Sequence, residues 1–139
     1  MLDQPDDVTL QRILAETRTI AVVGASDKPA RPSHEIYSYL LSTGDYQVYA
    51  INPTITEIDC APTYPRLADL PVVPDMVDVF RRYEELPSVL AEILALAQRP
   101  KTLWLQEGLW HEQVGHDAEA AGMHVVMDRC LMVEHARLR

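Results

Sequence analysis

A chain of 139 residues with 47% hydrophobic content is long enough to bury a real core as one globular domain, and too apolar for disorder. Its formal net charge of −9, from 21 acids against 12 bases, argues against nucleic acid, whose phosphates demand clustered cations. No apolar stretch is long enough to span a bilayer, Met1 to Thr9 carries three acids and no signal-like run, and Cys60 and Cys130 match no zinc spacing. The expectation is a single cytoplasmic domain over residues 1–139, with two reduced thiols, no membrane partner and no metal.

Val8 to Thr17 reads as a short amphipathic helix with Leu10, Ile13 and Leu14 on one face. Ile20 to Val23 is a strand that stops abruptly at Gly24, and small and polar residues follow. A helix then runs from a cap at Ser33 to about Ser42, and Gly44 closes it. A strand, a tight turn and a helix N-terminus suit phosphate binding, because the first N–H groups of a helix lack internal partners and carry partial positive charge.

Val48 to Ile51 is the second strand, ended by Asn52-Pro53. Five of the ten prolines fall from Pro53 to Pro74, so this connection is expected to be largely irregular, with one helical turn at Arg66 to Leu70. Met76 to Phe80 is the third strand, and Leu86 to Gln98 a helix with Pro87 in its first turn. Thr102 to Leu105 is the fourth strand, His111 to Ala121 a helix stopped by Gly122, and His124 to Met127 the fifth strand. Cys130 to Arg137 closes the chain as a helical segment. Strands alternating with helices predict an α/β domain: a Rossmann-like doubly wound parallel five-stranded sheet with helices on both faces.

Ligands of such sheets bind outside the carboxyl ends of the strands. That rule selects the loops Gly24 to Ser33, Asn52-Pro53, Phe80 to Tyr83 and Gln106 to Gly108. A nicotinamide cofactor is the first candidate, but its glycine fingerprint fails. Ser26 and Pro29 stand at the second and third glycine places, and no carboxylate ends the second strand. No Walker phosphate loop exists.

The segments Val22-Val23-Gly24-Ala25-Ser26-Asp27, Asn52-Pro53, Asp78-Val79-Phe80-Arg81, Trp104-Leu105-Gln106-Glu107-Gly108, Met127-Asp128-Arg129-Cys130 and Glu134-His135 recur in the order of a known family. The chain resembles the stand-alone CoA-binding domain proteins, which are similar to the CoA-binding domain of the succinyl-CoA synthetase alpha subunit and of ADP-forming acyl-CoA synthetases. The resemblance implies a coenzyme A site. Gly24, Ala25, Ser26 and Asp27 would form the close-approach turn, with Ser26 and backbone amides near the phosphates. Asn52 and Pro53 would flank the adenosine, and Val79, Phe80 and Arg81 would lie beside adenine and phosphates. Gln106, Glu107 and Gly108 would lie near the pantetheine arm.

Lys28, Arg31, Arg81 and Arg82 supply cations on the same loops, and Ser33 joins them at the helix start. The related synthetases need further domains, one with a phosphorylated histidine and one that binds ATP, and 139 residues hold neither. The expectation is therefore a binding module with no catalytic residue and no assigned protein partner. A small NAD(P)-linked oxidoreductase and a CoA-binding subunit of a larger acyl-CoA enzyme are the alternatives. Glu107 fits a solvated loop carboxylate better than a catalytic acid. His111 and His116, five residues apart, share no helix face for a metal. Cys130 fits a small core residue, whereas Cys60 is expected to be the more exposed thiol and the candidate for a mixed disulfide with CoA.

Overall fold

The computed structural model describes residues 3–139. Seven strands form one sheet: β1 (Thr19–Val23), β2 (Gln47–Ile51), β3 (Glu57–Ile58), β4 (Ala61–Tyr64), β5 (Met76–Val79), β6 (Thr102–Leu105) and β7 (His124–Val126), in the spatial order β3-β4-β2-β1-β5-β6-β7. Every pairing is parallel except β3 with β4. Five helices accompany them: α1 (Asp7–Glu16), α2 (Pro32–Thr43), α3 (Leu86–Leu94), α4 (Glu112–Ala120) and α5 (Leu131–Leu138).

Strand alternation sorts the core into two layers. Ala21, Val23, Val77, Val79, Leu103 and Leu105 face one side and pack with Leu86, Val89 and Ile93 of α3 and Val114 and Ala118 of α4. Ile20, Val22, Met76, Trp104 and Val126 face the other and pack with Leu10 and Leu14 of α1, Ile36 and Leu40 of α2, and Leu131 of α5. A sheet apolar on both faces must be covered on both, which is why its strands are near-continuous apolar runs.

The expected five strands are present, and two more lie in the proline-rich connection. That segment was expected to be irregular because proline cannot donate to a ladder. Pro62 instead sits opposite Glu57 in the β3–β4 pair, at the sheet's edge, where a missing donor is tolerated. Asp59 and Cys60 make the turn with φ of 49° and 70°, the left-handed pair of a two-residue hairpin. His34 of α2 holds that turn through Asp59 at 2.9 Å.

Ser33 is not the cap of α2. Arg31 occupies that position without a side-chain cap, Pro32 opens the helix, and Ser33 is buried in its first turn. Proline takes the first helical place readily because its absent N–H would have no partner there. Helix α3 stops at Leu94, short of the expected Gln98. Leu96 N–H closes a tighter turn on Ile93, and the Arg99 guanidinium donates to the Leu94 carbonyl. Helix α5 is fixed by polar contacts, some of them part-buried. His135 bridges the Tyr39 hydroxyl at 2.7 Å and Asp45 at 2.9 Å, and Arg137 joins Glu134 to Asp7 of α1. Among the described residues no helix is long and apolar enough to cross a membrane.

Candidate functional site

Strand β1 lies between β2 and β5, so the connections leaving β1 and β5 run to opposite sides. Where they diverge, the carboxyl ends of the strands open a crevice. Two cavities fill it. The first, of about 580 Å3, is lined by Gly24, Ser26, Asp27, Lys28, Arg31, Pro32, Ser33, Asn52, Thr54, Ile55 and Phe80. The second, of about 460 Å3, is lined by Pro32, Ile36, Phe80, Arg81, Gln106, Glu107, Leu109 and Cys130. Pro32 and Phe80 belong to both walls, so the two are chambers of one crevice. Their sizes are those of small-molecule sites.

The floor of the first chamber is set by Gly24. Its N–H donates to Ile51 of β2 at 2.9 Å, and Phe80 N–H donates to Val23 at 2.8 Å, which brings the two loop entries together. The β1 turn lies so close that a Cβ on Gly24 would sit 2.0 Å from the Phe80 carbonyl oxygen. Beyond the turn, the backbone N–H groups of Ser26 and Asp27 have no acceptor among the described residues, and the α2 N-terminus carries no side-chain cap. Lys28 and Arg31 form no ion pair among the described residues, although Asp27 is near them on the wall. Bare donors, two free cations and a helix N-terminus together make a receptacle for an anion with several oxygens.

Asn52 acts as a brace. Its Nδ2 donates to the Ala25 carbonyl at 2.8 Å, and its Oδ1 accepts from Thr54 N–H and hydroxyl at 2.8 and 2.7 Å. The loop after β2 is thereby tied to the loop after β1. With Asn52 so occupied, no carboxylate stands where a nicotinamide dinucleotide would present its ribose.

The second chamber is more apolar. Ile36, Leu109, Pro32 and the Phe80 ring form much of its wall. Gln106, only 4% exposed, is its internal polar group. Its Oε1 accepts from Leu131 N–H at 3.2 Å, which fixes the amide orientation, and its Nε2 has no partner among the described residues. A third cavity of about 530 Å3, lined by Gln4, Glu107, Asp128, Arg129, Cys130, Val133 and Glu134, adjoins the second through Glu107 and Cys130.

Of the residues read from the sequence, Gly24, Ser26, Asp27, Lys28, Arg31, Ser33, Asn52, Phe80, Arg81, Gln106 and Glu107 line the crevice. Ala25, Pro53, Val79 and Gly108 line neither chamber. Ala25 and Val79 are wholly buried, on opposite layers of the core. Gly108 donates its N–H to Asp128 at 2.7 Å, Pro53 is exposed, and Arg82 is exposed with its N–H on Glu85. The sequence reading missed Pro32, Ile36, Thr54, Ile55, Leu109 and Cys130 as walls. Pro32 lies inside the selected loop Gly24 to Ser33, and Thr54 and Leu109 directly follow selected loops, so strand-end position could have signalled these three and Cys130.

Beneath the crevice lies a carboxyl group with no partner. Asp78, two residues before Phe80 on β5, is fully buried beside Val22 and Trp104, and neither oxygen has a hydrogen-bond partner among the described residues. Burial pushes its carboxyl well above the usual carboxylate range, because desolvation disfavours the charged form. Among the described residues no group of three or more His, Cys, Asp and Glu is placed to hold a metal ion. Cys60 and Cys130 are both free thiols, the first exposed and the second half-buried.

A family model described as a CoA binding domain matches residues 18–136, and the chain belongs to that family. The uncharacterized protein YneT of Bacillus subtilis is 36% identical over 97% of this chain and 98% of its own length. The structure titled cell-free ID.343 from Thermus thermophilus superposes with a TM-score of 0.90 at 40% identity, covering 97% of this chain and all (100%) of that one. The dinucleotide forming acetyl-coenzyme A synthetase 1 of Ca. Korarchaeum cryptofilum is similar over 86% of this chain and 28% of its own, with 25% identity and a TM-score of 0.72. The fold thus occurs both as a small chain of this length and as about a quarter of a much larger synthetase.

Proposed function

We propose that the protein binds coenzyme A, or a CoA thioester, in the two-chamber crevice, and that it catalyses no reaction on CoA by itself. The observation that carries this reading is the change of character along the crevice. Lys28, Arg31 and free N–H groups line the first chamber, while apolar walls and one unpaired amide line the second. Coenzyme A has the matching order: phosphates, then a long thin arm of methylenes and two amides. Family membership over residues 18–136 supports the same ligand.

Thermal unfolding with added ligand tests this. A ligand bound only to the folded state stabilises by about 2.7 kcal/mol at a hundredfold excess over its Kd. For a domain of this size that raises Tm by several degrees. CoA is expected to do so and NADH and NADPH are not. Tight NADH binding with no response to CoA would replace this reading with the oxidoreductase.

Arg81 lines the second chamber and has no ion pair among the described residues. If its guanidinium meets a CoA phosphate at the junction, Arg81→Ala should weaken CoA about ten- to hundredfold in calorimetry. Arg81→Lys should restore only part, because an ammonium lacks the planar fork. Unchanged affinity in a folded Arg81→Ala variant would remove the residue from the site. The non-catalytic part of the reading rests on the crevice walls, where no nucleophilic side chain is hydrogen-bonded to a basic side chain among the described residues. ATP-dependent formation of acyl-CoA by this chain alone would overturn it.

A further inference from the structure

We propose that Cys130 is a site of reversible covalent CoA attachment: its thiol exchanges with the disulfide form of CoA held in the crevice. The inference rests on the CoA reading above and extends it from binding to a chemical modification. Sequence reasoning favoured Cys60 for such an adduct, on exposure alone. The structure moves the site, because Cys130 stands on the wall of the second chamber and Cys60 sits outside, on the β3–β4 turn.

Three features of the chamber converge on Cys130. The first is order along the crevice. With phosphates among Lys28, Arg31 and Ser26, the arm passes Phe80 into the second chamber, whose walls include Cys130. The second is Gln106. Its Oε1 is committed to Leu131 N–H, next to Cys130, while its Nε2 has no partner among the described residues, although the residue is only 4% exposed. That donor is free on the chamber wall, and an amide carbonyl of the pantetheine arm would accept from it. That contact would hold the sulfur-bearing end of the arm beside Cys130. The third is the adjoining cavity of about 530 Å3, which Cys130 also lines. Disulfide exchange needs the attacking, central and leaving sulfurs in rough line, so room is required on both sides of the reacting centre. The second chamber holds the arm, and the third cavity gives the departing thiol a way out.

The step balances without an external redox partner beyond CoA disulfide itself. The Cys130 thiol loses its proton to solvent, and the thiolate attacks the crevice-held sulfur of CoA–S–S–CoA. The new Cys130–S–S–CoA bond forms as the old S–S bond breaks, and one CoA thiolate leaves and takes up a proton. Added dithiol reverses it. Holding the disulfide in place raises its local concentration at Cys130 and not at Cys60.

The test compares the two cysteines in one protein. The reduced chain is mixed with a small excess of CoA disulfide at mildly alkaline pH and followed by intact mass and peptide mapping. Glutathione disulfide is run in parallel as a probe of similar chemistry without the nucleotide. One CoA adduct is expected, at Cys130, formed at least about tenfold faster than any at Cys60. It should persist in Cys60→Ser, vanish in Cys130→Ser, and reverse with dithiothreitol. Glutathione disulfide should prefer the exposed Cys60. Faster CoA labelling of Cys60, or equal labelling of both, overturns the proposal. Calorimetry with reduced CoA separates this failure from that of the underlying reading. Binding of CoA without an adduct at Cys130 overturns the covalent site alone. Absence of both overturns both.

Discussion

Gly24→Ala should destabilise the protein by about 2–5 kcal/mol, the sum of left-handed strain and overpacking. Gly24 has φ of +87°, and a Cβ there would lie 2.0 Å from the Phe80 carbonyl oxygen and 2.9 Å from its carbon. Both atoms are backbone, so no side chain can rotate away. Relief requires the β1 turn to lift from the end of β5, which also opens the first chamber. CoA affinity in any folded fraction should therefore fall with stability. Gly44 supplies the control. It too is left-handed, at φ +71°, but a Cβ there meets nothing within 4 Å. Gly44→Ala should cost only the conformational part, about 1–2 kcal/mol. Urea unfolding of both variants checks this, and equal losses would contradict the close contact between Gly24 and Phe80.

Asp78→Asn should change the pH dependence of stability more than any surface substitution. The buried carboxyl holds its proton in the folded state to a higher pH than the ordinary value of 3.8. Below that value both states are protonated and Asp78 contributes no slope. Above it the unfolded chain ionises Asp78 while the folded chain does not, so unfolding releases a proton. Stability then falls as pH rises, by about 1.4 kcal/mol per pH unit, until the folded group also ionises. Asparagine has nearly the same shape and no such equilibrium. Its stability relative to the natural chain should thus rise from about pH 4 until the folded carboxyl also ionises. Denaturant titrations of both chains at several pH values read the difference directly, in which the other titrating groups cancel. Parallel profiles would mean that Asp78 is paired or solvated, contrary to its surroundings.

The five strands read from the sequence were legible because each is a short, mostly apolar run ended by Gly24, Asn52-Pro53, Phe80, Gln106 or Asp128. β4 was not, because its identity comes from lying beside β2 at Ala50 and Ile51, and its local sequence Ala61-Pro62-Thr63-Tyr64 argues against a strand. The ligand edge followed from topology, so Gly24, Ser26, Arg31 and Gln106 were found. Walls built by packing were missed. Ile36 reaches the crevice because α2 lies across the sheet, and Cys130 because α5 starts beside Gln106. Val79 shows the limit of reading loops by position. It adjoins Phe80 in sequence, yet alternation turns it into the α3 and α4 layer. The same alternation places Asp78 in the opposite layer, where local sequence gives no hint that its carboxyl lacks a partner.

The two-residue strand β3 bears on how the molecule behaves when crowded. Without it, the outer backbone of β4 would lie open on that flank of the sheet, and such a flank is a template for a strand from another molecule. β3 occupies it in the antiparallel sense and is itself only Glu57 and Ile58 long, with Glu57 exposed. A flank so brief and charged offers little length for a second molecule to match. The opposite flank, β7, spans only His124–Val126. The hairpin thus closes that flank as well as shaping the fold, held by the buried Ile58, by the pairing of β4 with β2 and by the contact of His34 with Asp59.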